Sequence, residues 1–113
     1  MTNITPLRQA FPRPGSDRRL PDATGFLARH GRGLSALAEA IDDPWLVTET
    51  RTACLAPPTD IGNLDAVGRL REIQEMLDGV TASRLMQSAS RYAGPDIGAA
   101  HRWYGARLQD LLR

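Results

Sequence analysis

The chain contains no lysine; all fourteen of its basic residues are arginine. That absence excludes a phosphate-loop lysine, a Schiff-base lysine for pyridoxal phosphate and a lysine general base. A single cysteine, Cys54, cannot close an internal disulfide, and a reducing, cytoplasmic setting is the natural expectation. Nothing approaches the roughly 18 consecutive apolar residues of a membrane helix. The opening Met1-Thr2-Asn3-Ile4-Thr5-Pro6 lacks the apolar stretch of a secretory signal, so neither a membrane nor ordinary export is expected.

Chemistry-bearing residues are scarce in the same way. The two histidines, His30 and His101, have no paired spacing with each other or with Cys54, and no Glu-x-x-His or Cys-x-x-Cys occurs. No metal and no cofactor is expected. There is no Gly-x-Ser-x-Gly elbow, and Gly31 with Gly33 lacks the strand and third glycine of a dinucleotide loop. Cys54 sits in the apolar run Ala53-Cys54-Leu55, the usual company of a structural cysteine. Glu72 and Glu75 share a helix face but are flanked by Arg69 and Arg71, which reads as a solvated, salt-bridged surface. No catalytic set assembles, so neither an enzyme nor a small-molecule substrate is expected.

What the chain does have is charge asymmetry. Residues 1–32 carry six arginines against two aspartates, while residues 33–113 carry eight arginines against eleven carboxylates. The overall +1 conceals a basic arm on an acidic body. Residues 1–21 hold Pro6, Pro12, Pro14 and Pro21 with Gly15, and each proline removes a backbone donor and disfavours helix before it. This predicts a disordered basic arm over residues 1–21 and one helical domain over 22–113.

From Asp22 the apolar spacing turns helical. A short helix holding Phe26 and Leu27 is expected to falter at His30-Gly31-Arg32-Gly33, because glycine costs a helix about 1 kcal/mol relative to alanine. Leu34, Leu37, Ala38 and Ile41 mark a second helix. Asp43 as N-cap and Pro44 at the first position start a third, running to about Cys54. Asn63 is a plausible cap for a stripe of Leu64, Val67, Leu70, Ile73, Leu77 and Val80, with Asp65 and Arg69 paired on the wet side. Gly79 suits a left-handed stop, and Thr81 caps a helix whose inner face is Ala82, Leu85, Met86, Ala89, Tyr92 and Ala93. Asp96 caps the last helix, with Ile97, Ala100, His101, Tyr104, Leu108 and Leu111 on its stripe. The short link at Gly79–Thr81 predicts an antiparallel helical hairpin over 64–93. The fold class is all-α: a small bundle of about five helices containing that hairpin, behind a Pro/Arg-rich arm.

Two functional readings follow. In the first, the chain is a non-enzymatic interaction module (adaptor, regulator or assembly factor) that binds a protein, a second copy of itself included, through Leu70, Ile73, Leu77, Leu85, Trp103, Tyr104 and Leu108. Trp and Tyr are the side chains that most often anchor interfaces, and Gly98 and Gly105 flank a small-residue groove on the same helix. In the second, it is a small DNA-binding protein, a transcriptional regulator or a phage-type packaging or recombination accessory. It would use Arg13, Arg18 and Arg19 of the arm together with Arg51 on a helix–turn–helix outline over 34–54.

Overall fold

The computed structural model describes residues 20–113. Residues 1–19, which make up nearly all of the expected arm and include Arg13, Arg18 and Arg19, lie outside the described residues. The described chain is all-helical: α1 (Ala23–Ile41), α2 (Pro44–Cys54), α3 (Asp60–Asp78), α4 (Ala82–Ser88) and α5 (Ile97–Leu112), with one 3₁₀ turn at Ala89–Arg91. No strand occurs among the described residues.

Local capping chemistry starts each helix. The Asp22 carboxylate accepts from the Gly25 N–H, Asp43 from Trp45 and Leu46, and Asp96 from Ala99, while Thr59 and Thr81 accept from Gly62 and Arg84 through their hydroxyls. Each such cap satisfies a donor that has no partner within its own helix and contributes about 1 kcal/mol. The expected caps at Asp43, Thr81 and Asp96 are present. Asn63 is not one of them: α3 begins earlier, at Asp60 behind Thr59.

Asn63 does a longer-range job. Its Oδ1 accepts from Ala23 N (2.9 Å) and Thr24 N (3.2 Å), and its Nδ2 donates to Pro21 O (2.9 Å). The N-termini of α1 and α3 are therefore held side by side, and these two helices run parallel. Along α2, Arg51 meets Glu39 at 3.2 Å and Cys54 Sγ lies 3.9 Å from Ser35 Oγ, so α2 runs antiparallel to α1. His101 Nε2 bonds Leu77 O (2.6 Å) and Arg71 donates to Leu112 O (3.3 Å), which sets α5 antiparallel to α3. The bundle is up-down-up-down, built from α1, α2, α3 and α5, with α2 and α5 each packed on both α1 and α3.

The short α4 lies against α1 and α5 rather than back along α3, as the expected 64–93 hairpin would have it. Arginine side chains hold it there. Arg84 donates to Ile41 O (2.8 Å), and Arg91 donates to Ala40 O (2.9 Å) and Ser88 Oγ (3.3 Å). Both guanidinium groups thus close the C-terminus of α1, where orphan carbonyls and the negative end of the helix dipole attract cations. Helix α4 also stops short of Ala93. Ser88 turns its hydroxyl back onto Arg84 O (2.8 Å), and the chain tightens into the 3₁₀ turn.

Four further expectations are corrected. Helix α1 runs unbroken through Gly31 and Gly33. A Cβ on Gly31 would stand 2.9 Å from Cys54 Sγ, and one on Gly33 would overlap the Tyr104 hydroxyl, so close approach of α2 and α5 outweighs the propensity cost. Gly79 is right-handed at φ −83°; its N–H bonds Glu75 O and Met76 O, and the left-handed residue is Asp42, at φ 63°. Leu64 is exposed, because three-residue steps fall about 60° short of a full turn and carry it off the face of Val67, Leu70, Ile73 and Leu77. Met86 is exposed as well.

Leu34, Leu37, Ile41, Leu46, Leu70, Ile73, Leu77 and Leu108 are the large side chains fully buried at the centre. At about 1.5–3 kcal/mol for each such side chain, they are the main favourable term in folding. One ion pair enters the edge of this core. Glu49, 7% exposed, accepts from Arg69 at 2.8 Å, and Arg69 also holds Asp65 at 3.0 Å. The Asp65 hydrogen bond first, with the charge of Glu49 beside it, raises Arg69 further above its ordinary range.

Candidate functional site

The residues expected to form an interface divide sharply. Leu70, Ile73, Leu77, Leu85 and Leu108 are buried among the chain's own helices. A side chain already removed from water has no apolar surface left to offer, so these five are core residues and not an interface. Trp103 and Tyr104 differ: Trp103 is 39% exposed and Tyr104 is half-buried. The groove beside Gly105 is open, with nothing within 4 Å of a Cβ added there.

The helix–turn–helix outline over 34–54 is corrected too. Helices of that motif cross at about 90–120° and part soon after the turn. Here α1 and α2 stay together for the whole of α2: Cys54 still meets Ser35 and Gly31 ten residues beyond Pro44, about 15 Å along the axis. They form an antiparallel helical pair. Glu49, on the same helix as Arg51, is buried against Arg69, and Arg51 is exposed but engaged by Glu39.

Cys54 is exposed rather than structural. Glu72 and Glu75 are exposed, as expected. The flanking arginines are engaged elsewhere, Arg69 with Glu49 and Asp65 and Arg71 with Leu112 O. Among the described residues no group of three or more His, Cys, Asp or Glu side chains is placed to hold a metal ion. No helix there is long and apolar enough to cross a membrane.

What the fold does assemble is a row of rings across α1 and α5. Phe26 and His30, one turn apart on α1, have ring centroids 5.0 Å apart. His30 meets Trp103 edge-on at 5.1 Å, and Trp103 meets Tyr104 edge-on at 4.9 Å. Edge-to-face contacts at these separations are attractive beyond the area they bury. The Arg107 guanidinium lies over the indole of Trp103, 5.1 Å from the ring centroid. Phe26, Arg29, His30, Trp103, Arg107, Asp110 and Leu111 line one groove between the two helices.

At the inner end of the row, Tyr104 packs its hydroxyl onto the bare backbone of Gly33. Burial first, and Tyr92 second, push its phenol above the ordinary tyrosine range.

Sequence alone pointed to Trp103 and Tyr104 but missed Phe26, Arg29, His30 and Arg107. The signal was available: Phe26 with His30, and Trp103 with Arg107, are both i,i+4 pairs. The first pair was hidden by the break expected at Gly31. No family model, characterised protein or solved structure matches this chain.

Proposed function

We propose that the chain is a non-enzymatic interaction module, an adaptor, regulator or assembly factor, and that it meets its partner through the α1–α5 face. The observation that carries this reading is the half-exposed Trp103, fixed between His30, Tyr104 and Arg107 at the mouth of the groove. Binding energy at interfaces concentrates on a few Trp, Tyr and Arg side chains, and holding them in place beforehand lowers the entropy cost of association. The groove offers stacking and charge-assisted hydrogen bonds, which suit recognition. A second copy of the chain is one protein this face can take; the stripe once expected to mediate self-association is spent in the core.

Site-specific photo-crosslinking tests the reading. A benzoylphenylalanine at position 103 is expected to give a discrete adduct in the native cell. The same group at exposed Met86 is expected to give none, and Arg107→Glu should abolish the first. Equal crosslinking from both positions, or none from position 103, overturns the assignment.

A further inference from the structure

Arginine is the chain's only permanent cation besides the N-terminus, so its partners reveal which positive charges are spoken for. Among the described residues, Arg51, Arg69 and Arg113 pair with carboxylates, and Arg71, Arg84 and Arg91 donate to helix C-terminal carbonyls. Arg29, Arg32, Arg102 and Arg107 have no carboxylate partner there. Two of these four, Arg29 and Arg107, line the ring-bearing groove, and Arg32 stands one turn beyond Arg29 on α1. The groove's one carboxylate, Asp110, is engaged by Arg113 at 2.9 Å. Positive charge without a carboxylate partner among the described residues therefore converges on a face that also exposes a tryptophan, Trp103.

From this charge complementarity we infer that the occupant of the α1–α5 groove is an acidic protein segment, with Asp or Glu carboxylates set against Arg29 and Arg107 and an apolar or aromatic side chain laid over Trp103. The inference rests on the interaction-module reading and adds the chemistry of the partner. Guanidinium–carboxylate pairs are bidentate and charge-assisted, and arginine is the cation best suited to them. The chain's own residues 1–19 have the wrong sign, with four arginines against one aspartate. A nucleic acid fits less well. Residues 20–113 carry ten arginines against twelve carboxylates, whereas salt-sensitive polyanion binders neutralise about six to ten phosphates.

The test is selection from a random twelve-residue peptide library on the full chain. Selected peptides are then measured by the emission of Trp103 in a Trp45→Phe background, with a labelled twelve-nucleotide single strand as competitor. Expected are peptides rich in Asp or Glu with at least one aromatic or large aliphatic residue. Each should bind roughly ten-fold more weakly to Arg29→Glu or Arg107→Glu, the loss of about one charge-assisted contact. Both sites are on the surface, and an unchanged thermal melt separates a binding loss from misfolding. Neutral or basic peptides that still quench Trp103 would overturn the acidic partner and leave the interaction face standing. Tighter binding of the oligonucleotide would replace the peptide with a nucleic acid. If nothing is selected, or if binding ignores Trp103 and both arginines, the face and the partner fall together.

Discussion

Thr50 offers the sharpest test of how this bundle is held together. Its side chain is 0% exposed and its Oγ1 has no hydrogen-bond partner among the described residues. Two residues on, Thr52 shows the usual solution for a helical threonine, its Oγ1 donating to Thr48 O at 2.9 Å. A hydroxyl buried without a partner costs about 1–3 kcal/mol in protein mutational data. Valine replaces that hydroxyl with a methyl of nearly the same shape, and Thr and Val have similar helix propensities, so the backbone contribution cancels. Thr50→Val is therefore expected to stabilise the protein by about 1 kcal/mol.

For a domain of this size that corresponds to a rise in melting temperature of about 4–8 °C. Urea unfolding followed by circular dichroism should show a higher midpoint with an unchanged slope, since the surface exposed on unfolding is the same. Thr52→Val is the internal control: it removes a bond that is made, so it should be neutral or slightly destabilising. Loss of stability in Thr50→Val, or equal effects at the two positions, would refute the claim that the Thr50 hydroxyl is orphaned.

Asp42 holds the left-handed cap of α1 and places a negative charge at the negative end of the helix dipole. Asp42→Gly should raise the unfolding free energy by about 0.5–1 kcal/mol in urea titrations, the left-handed penalty less the added freedom of the unfolded chain. Arg91→Ala removes the donor to Ala40 O and should cost about 1 kcal/mol, with Arg91→Lys recovering part of it; equal loss in both variants would show that the guanidinium fork is not what matters. Because burial raises the Tyr104 pKa on folding, its contribution to stability is fully present below the unfolded value of about 10 and is lost as pH rises through the folded value. Tyr104→Phe should flatten the alkaline limb of a stability–pH curve, and an unchanged limb would assign that loss elsewhere.

The readable parts of this fold are those whose physics is local. Asp43-Pro44, Thr81 and Asp96 could be assigned from the chain because an N-cap acts across two or three residues. The i,i+4 pair of Asp65 and Arg69 was legible for the same reason, and it forms at 3.0 Å. The misjudged parts depend on what stands opposite. Gly31 and Gly33 look like a helix break until Cys54 and Tyr104 are seen against them. Asn63 looks like a cap for its own helix, yet it serves the amides of Ala23 and Thr24, some forty residues earlier in the chain. The candidate site follows the same division. Trp103 and Tyr104 could be named from one helix, but Phe26 and His30 join them only because α1 is continuous and α5 lies across it.

That continuity is also what separates the protein's two uses of arginine. Since α1 runs on to Ile41, its C-terminal carbonyls fall within reach of Arg84 and Arg91, and these two guanidiniums hold α4 against α1 and α5, away from the place along α3 where a hairpin partner was expected. Since α1 also begins as early as Ala23, Phe26, Arg29 and His30 lie alongside α5, where nothing in the fold demands a cation. Arg71, Arg84 and Arg91 donate to backbone at helix ends, whereas Arg29 and Arg107 stand on helix sides next to rings. Outer positions of α3 such as Asp65, Glu72 and Glu75 are acidic, so the surface is polarised even though the net charge is small. A fold that needed arginine only for its own stability would have no reason to set Arg29 and Arg107, neither with a carboxylate partner among the described residues, around a half-exposed tryptophan, and that contrast makes the α1–α5 groove the place to look for a partner.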